Sequence, residues 1–137
     1  MNTYLLKTFN GRESLESTIT FESDSSLIKV CFHCMDISIC KEDNYPFLAL
    51  AKIREELEVK NLKLLCKGSL LNVYPSGAAL PFLKAYELQL GKAVTQKDLI
   101  FIFDPVSDVD KIATVKEQKA FYLKWLESVK NFGQSKL

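Results

Sequence analysis

The sequence has few of the residues from which most active sites are built. Its 137 residues include one histidine, His33, and five glycines, no two of which are close together. Phosphate-binding loops need closely spaced glycines, and zinc hydrolases of the H-E-x-x-H type need two histidines. The glycine-flanked serine of a nucleophile elbow is also missing. We therefore expect a protein that binds another macromolecule, not an enzyme, with no catalytic residues and no cofactor.

Long apolar runs are missing as well. No run approaches the ~20 apolar residues that span a bilayer. The first residues, MNTYLLKTFNGRES, lack the basic flank and apolar core of a secretory signal. The length of 137 residues is typical of one domain. We therefore expect a cytoplasmic protein that forms a single domain over residues 1–137 and has no membrane partner.

The chain has no excess of either charge, since 18 basic residues accompany 17 acidic ones. A near-neutral chain lacks the basic footprint of nucleic-acid binding, so we expect no direct nucleic-acid partner. Acidic side chains nevertheless gather at residues 55–58 and 104–110. The second segment has alternating carboxylates, but it lacks the glycine and distant glutamate of a calcium loop. A solvated acidic loop is the favoured interpretation.

Three of the four cysteines lie close together. Cys31 and Cys34 have the C-x-x-C spacing of a zinc knuckle, and His33 and Cys40 could complete four ligands. The second knuckle that structural zinc sites usually have is missing. Buried or half-buried reduced thiols are the favoured interpretation for an intracellular protein, and we expect no metal. A zinc site and a disulfide or redox pair are the alternatives.

The first forty residues are rich in residues that favour strands. Short apolar segments, two of them clearly alternating, predict strands at residues 4–9, 17–22, 27–33 and 36–40. The turn residues 24–26 predict that the middle two strands form a hairpin. Alternation also places Cys31 and His33 on one face of their strand and Phe32 on the other.

A helix is predicted to follow these strands. Pro46 suits its first turn, where a missing N–H costs nothing, and Asp43 or Asn44 can serve as its cap. An apolar stripe at three- and four-residue spacing predicts packing against a sheet, and it comprises Phe47, Leu50, Ile53 and Leu57. Residues 60–61 are expected to end the helix.

The middle of the chain predicts further strands. Residues 62–66 and 70–74 flank Lys67-Gly68-Ser69, which predicts a second hairpin. The turn at residues 74–77 is either a recognition loop or a tight connection. Residues 85–90 predict another strand, whereas the apolar residues 99–103 fit either a core strand or a short buried helix.

The last element is a long amphipathic helix that starts with a capping box at Thr114 and Glu117. Gly133 is expected to end it. Its apolar face consists of Phe121, Tyr122, Trp125, Leu126, Val129 and Phe132. The whole pattern predicts an α+β fold in which a mainly antiparallel sheet packs against two to three helices, including this C-terminal one.

The second half of the chain resembles a known family. Residues 73–77 read VYPSG, residues 84–86 read KAY and are followed by LG at 90–91, and residues 102–104 read IFD. This pattern, over about residues 60–130, resembles small bacterial immunity proteins of contact-dependent inhibition and related polymorphic toxin systems. Two stretches depart from it: residues 78–83 replace a Met- and Gly-rich segment, and residues 100–101 are Ile-Phe where the family has Val-Asp.

The resemblance implies that the chain binds and neutralises the toxic C-terminal domain of a cognate effector. An acidic surface would suit a nuclease toxin, because nucleases must attract phosphate. We expect the contacts to come from the two acidic segments and the turn at residues 74–77, namely from Glu55, Glu56, Glu58, Tyr74, Ser76, Asp104, Asp108 and Asp110. The alternative is a metal-dependent or adaptor-type cytoplasmic binding protein with no toxin partner.

Overall fold

The fold is α+β, as the sequence predicts. The computed structural model describes the backbone of residues 2–135 and the side chains of residues 2–130. A curled five-stranded antiparallel sheet and a three-stranded sheet are accompanied by two α-helices. The elements are β1 (Asn2–Phe9), β2 (Ser14–Asp24), β3 (Leu27–Cys34), β4 (Ile37–Asp43), α1 (Pro46–Val59), β5 (Lys63–Leu64), β6 (Val73–Tyr74), β7 (Lys84–Glu87), β8 (Leu99–Phe101) and α2 (Val115–Ser135).

The large sheet has the order β4-β3-β2-β1-β5, and the small one has the order β6-β7-β8. All four strands expected in the first forty residues are present, and β2 and β3 form the predicted hairpin. At its turn, Ser25 adopts a φ of 57°, a left-handed conformation that short polar side chains tolerate better than most. The alternation of apolar residues and the turn residues between them therefore suffice to predict the hairpin of β2 and β3.

Helix α1 covers the inner face of the large sheet. Val30 and Phe32 of β3 are fully buried, and the predicted stripe of α1 is buried against the sheet through residues such as Leu50 and Ile53. The predicted cap is wrong. Tyr45 occupies the N-cap position, and its side chain makes no capping hydrogen bond. The Asp43 carboxylate accepts from the N–H of Tyr45, at 3.2 Å, and not from an N–H within the helix.

The predicted second hairpin is wrong. β5 pairs with β1 of the large sheet, whereas β6 pairs with β7 of the small one. The intervening residues Lys67–Ser69 form a 3₁₀ turn, and the Gly68 N–H donates to the Ile102 carbonyl at 2.9 Å. This turn carries the chain from one sheet to the other instead of folding it back. The ambiguous segment at 99–103 begins as strand β8.

The outer face of the large sheet is open, and β4 is one of the two edge strands of this sheet. Cys31 and Cys40 lie directly opposite each other with Cα atoms 4.1 Å apart, which identifies a pair without mutual backbone hydrogen bonds. Hydrogen-bonded and non-hydrogen-bonded pairs alternate along an antiparallel ladder. The backbone N–H and C=O groups of Cys40 and Glu42 therefore point away from β3, toward the open edge. There the Lys52 ammonium from α1 donates to the Glu42 carbonyl at 2.9 Å. Lys52 also pairs with Asp43 at 3.1 Å.

Helix α2 begins at the predicted capping box and packs against β6, α1 and the loop before β8. Trp125 is buried, and its indole N–H donates to the Lys92 carbonyl at 2.9 Å. Leu126, expected on the buried face, is 39% exposed, and the Phe132 side chain lies outside the described residues. Gly133 does not end the helix, which continues to Ser135; glycine inside a helix costs only about 1 kcal/mol. Neither described helix is long and apolar enough to cross a membrane.

The prediction of four reduced thiols is half right. Cys34 and Cys66 are buried and free, and burial raises the pKa of both thiols. Cys31 and Cys40, in contrast, form a disulfide between β3 and β4. The prediction failed because it depended on the usual reduced state of intracellular cysteines, whereas the strand register brings these two side by side.

Candidate interaction surface at the start of the C-terminal helix

The first turn of α2 is fixed by reciprocal hydrogen bonds. The Thr114 N–H donates to the Glu117 carboxylate at 2.8 Å, and the Glu117 N–H donates to the Thr114 hydroxyl at 3.0 Å. Hydrogen bonding of the Glu117 carboxylate to the Thr114 N–H, and secondly to the Thr114 hydroxyl, holds the pKa of Glu117 below its ordinary value. A second carboxylate, Glu58 of α1, accepts from the Val115 N–H at 2.8 Å. Two negative charges therefore face the positive end of the helix dipole.

A buried arginine on α1 anchors the start of α2. Arg54 is only 3% exposed, and its Nη1 donates to the Gly68 carbonyl at 3.2 Å and to Gln118 Oε1 at 2.7 Å. Its Nη2 donates to the carbonyls of Ala113 and Ser69 at 2.6 and 3.5 Å. Burial lowers the pKa of the guanidinium. Carbonyl and amide oxygens, not a carboxylate, therefore compensate for the lost hydration of this charge.

Gln118 completes the anchor from the side of α2. This side chain is fully buried, and its Nε2 donates to the carbonyls of Gly68 and Leu70 at 2.9 and 2.8 Å. Gly68 has no room for a side chain, since a Cβ there would lie 2.8 Å from Leu50 Cδ2 and 3.2 Å from Ile102 Cβ. Both helices are thus tied to the same tightly packed turn between the two sheets.

Around this anchor, residues 113–119 border three cavities of about 260, 540 and 340 Å³. We name the surface the helix junction and define it by Arg54, Glu55, Glu58, Asp110 and residues 113–119. Its exposed or half-buried carboxylates belong to Glu55, Glu58, Asp110 and Glu117. Lysines at positions 63, 111 and 119 also line these cavities, so the surface carries both signs of charge.

The groove between the two helices contains two of the predicted contact residues, Glu55 and Tyr74. Glu55 is exposed. Tyr74 is half-buried, with its ring stacked on Tyr122 at 4.1 Å and against the edge of Phe47 at 5.0 Å. Lys119 Nζ lies 5.7 Å from the ring centroid. Most of the Tyr74 ring therefore packs inside the protein.

The other predicted contact residues are more scattered. Glu56 forms an ion pair with Lys41 of β4. Asp108 accepts from the Asp110 N–H at 3.0 Å and thereby caps a 3₁₀ turn. Ser76 starts another such turn without a side-chain cap, and Asp104 is half-buried three residues after the end of β8. The structure thus brings Glu55, Glu58 and Asp110 to the helix junction and places four others elsewhere, namely Glu56, Ser76, Asp104 and Asp108.

The four residues of the zinc alternative do not converge. Cys31, His33 and Cys40 belong to the outer face of the sheet, whereas Cys34 points into the core. In the described part of the chain, no group of three or more histidine, cysteine, aspartate or glutamate side chains has a metal-binding arrangement.

The sequence analysis did not identify Arg54 or Gln118 as important, although the position of Arg54 in the sequence of α1 could have indicated its role. Arg54 lies four residues after Leu50 and three before Leu57, which places it on the buried stripe of α1. A charge on such a stripe predicts a buried polar contact. Gln118 carries no comparable signal, since its partners are backbone carbonyls distant in sequence.

No protein-family model matches this chain, and no curated protein sequence matches it.

Proposed function

We propose that the chain is a bacterial immunity protein that binds the toxic C-terminal domain of a cognate effector through the helix junction. The observation that carries this proposal is a set of carboxylates at the junction with no ion-pair partner. Among the side chains of residues 2–130, the ion pairs are Lys41–Glu56 and Lys52–Asp43. Glu55 and Asp110 are therefore available to a basic partner, whereas the Glu117 carboxylate also caps α2. The sequence pattern over residues 60–130 adds independent support.

The rigidity of the junction favours a binding role. Arg54 and Gln118 hold the start of α2 with six hydrogen bonds in all, counting their mutual bond once. A surface that is fixed before binding loses little conformational entropy when a partner docks. Most structurally characterised inhibitor complexes show little backbone movement between free and bound forms. The proposed mode of action is therefore docking of a preformed surface over the active site of the toxin, or over its access route.

The mixture of charges favours a protein partner. Lys63, Lys111 and Lys119 line the same cavities as the acidic groups, so the surface differs from a uniformly negative mimic of nucleic acid. Charges at the rim of an interface mainly steer association and exclude wrong partners. A basic nuclease domain is the toxin class that the carboxylates suit best.

The first test is co-expression. The C-terminal domain of the protein encoded immediately upstream would be expressed in bacteria with and without this chain. We expect growth to stop without the chain and to resume with it, and the two proteins to co-purify. A harmless upstream domain, or one that stays toxic in the presence of this chain, would contradict the proposal and favour an adaptor role.

The surface is tested separately by charge reversal. Glu55→Lys combined with Asp110→Lys leaves the capping and anchoring bonds intact and should weaken toxin affinity at least ~10-fold in calorimetry, mainly through slower association. The matched control reverses Glu13 and Asp36, which are exposed acids outside the junction. Equal affinities for the two double variants would exclude the helix junction as the interface.

The single substitutions Ser76→Lys and Asp104→Lys would show whether these two predicted contacts extend the interface. Asp108 is left unchanged in this series because its carboxylate caps a turn. Loss of affinity in either variant, with an unchanged melting temperature, would place that residue at the rim.

A further inference from the structure

The disulfide between Cys31 and Cys40 lies on the open outer face of the large sheet. The two cysteine residues are not equally exposed. Cys40 is exposed, whereas Cys31 is only 9% exposed. Cys34 is a core residue of the same strand as Cys31, and its side chain points to the opposite face. The more exposed end of the disulfide is therefore the Cys40 end.

The positions of the two strands add to this difference. A thiolate must reach the sulfur that it attacks, so access to that sulfur affects the rate. The disulfide joins β3 to β4, and β4 is an edge strand. Cys40 therefore lies at the border of the sheet, where no further strand follows. Cys31 lies one strand further in, beside β2, where Thr20 is the directly opposite residue.

We propose that Cys40 is a site of thiol–disulfide exchange with small cellular thiols of the glutathione class. The incoming thiolate forms a bond to the Cys40 sulfur, and the bond between Cys40 and Cys31 breaks. Cys31 leaves as a thiolate and takes a proton from water. A second thiol of the same class can then attack the mixed disulfide, which regenerates the Cys40 thiol and releases the oxidised small molecule. The two electrons that reduce the protein come from the two small thiols.

Strand β4 stays in place during this exchange. It remains paired with β3 along the whole strand, and Lys41 and the Glu42 carbonyl are held by Glu56 and Lys52 of α1. The exchange therefore takes place on the folded protein. In this it differs from a reduction that requires the protein to unfold first.

The test uses the native, oxidised chain with reduced glutathione under anaerobic conditions. After acid quenching and alkylation, peptide mass mapping should find glutathione on Cys40 and the alkylating group on Cys31. Cys34 and Cys66 should stay unmodified until denaturant is added. Glutathione mainly on Cys31, exchange only in denaturant, or free alkylation of both residues without any reductant would each overturn the proposal.

Two matched variants test the asymmetry in the reverse direction. Cys31→Ser leaves the Cys40 thiol, and Cys40→Ser leaves the Cys31 thiol. With glutathione disulfide, we expect Cys40 to be modified at least ~10-fold faster than Cys31, because the reaction depends on access to the sulfur. Equal rates, or faster reaction of Cys31, would overturn the proposal. If one of the variants is destabilised, the mass-mapping experiment on the unsubstituted chain still tests the proposal.

Discussion

Arg54 is a charged residue in the interior, and none of the described carboxylates forms an ion pair with it. Its neighbours are the carbonyl oxygens of a 3₁₀ turn and of the segment before α2. Removing a buried donor leaves these acceptors without partners and costs about 1–3 kcal/mol for each unsatisfied group. At the scale of the single residue, this side chain contributes more to the shape of the helix junction than any exposed acid.

We predict that Arg54→Ala lowers the free energy of unfolding by about 3 kcal/mol, because several buried acceptors lose their donor at once. Arg54→Lys should cost less, since an ammonium retains the charge but can reach fewer of the same oxygens. Urea titration followed by circular dichroism measures both. The neighbouring Glu55→Ala is the control and should change stability by less than about 0.5 kcal/mol. A similar loss in Glu55→Ala would show that the effect belongs to the helix and not to the buried contacts.

Gly68 gives a second prediction at this scale. Gly68→Ala should destabilise the protein by about 1–3 kcal/mol, since the new methyl group would overlap the Leu50 side chain. The measurement is a double-mutant cycle with Leu50→Ala, which removes the overlapping atoms. The cost of Gly68→Ala should fall in that background. An unchanged cost would assign the effect to the Ile102 backbone on the other side.

At the scale of elements, the predictions succeeded where local chemistry decides the structure. The hairpin of β2 and β3 follows from alternation and a polar turn, and the stripe of α1 follows from its spacing. They failed where a partner is distant in sequence. Residues 63–64 and 73–74 were expected to pair with each other, and each pairs instead with a strand from another part of the chain.

The candidate site shows the same division. The capping box at Thr114 was readable because both partners are three residues apart. That Glu55 and Asp110 both lie beside the start of α2, at separate cavities, was not readable, because it depends on how α1 and the loop before α2 pack. Glu56 was grouped with its neighbours by sequence, yet one step along the helix turns it toward Lys41.

The cap of α2 leads to a prediction for this element. Thr114→Ala should destabilise the protein by about 1 kcal/mol, the usual effect of losing an N-cap hydroxyl. Thr114→Ser retains the hydroxyl and should restore most of this loss. Thermal unfolding followed by circular dichroism measures the series. A loss of equal size in the serine variant would assign the effect to the threonine methyl group and not to the cap.

The pH dependence of the same cap has a defined sign. The pKa of Glu117 is lower in the folded chain than its ordinary value of 4.5. Its contribution to stability is therefore fully present above about pH 4.5 and is lost as the pH falls through the lower, folded pKa. We expect Glu117→Gln to flatten the fall of the melting temperature on acidification in this window. Identical slopes for the two proteins would contradict this role.

At the scale of the whole molecule, one core joins both sheets. Val30 and Phe32 of the large sheet belong to the same buried cluster as Val73 and Ala85 of the small one. Side chains of α1 fill the space between them. With no separate core to unfold first, the two sheets should lose their structure together.

We therefore predict one cooperative unfolding transition. Fluorescence of Trp125 reports on α2 and the loop that it contacts, whereas far-ultraviolet circular dichroism reports on all elements. In urea, the two signals should give the same midpoint. An earlier midpoint for the fluorescence signal would mean that α2 detaches before the large sheet unfolds.

The contact of Lys52 with the Glu42 carbonyl also affects how copies of this chain behave toward each other. An exposed edge strand offers unpaired N–H and C=O groups to which a second strand can add, and repeated addition leads to fibrils. Here the Lys52 side chain from α1 donates to one of those carbonyl groups and places a positive charge beside the unpaired groups of β4. An incoming strand would have to displace that lysine and bury its charge. A helix residue thus protects the chain against open-ended polymerisation at β4.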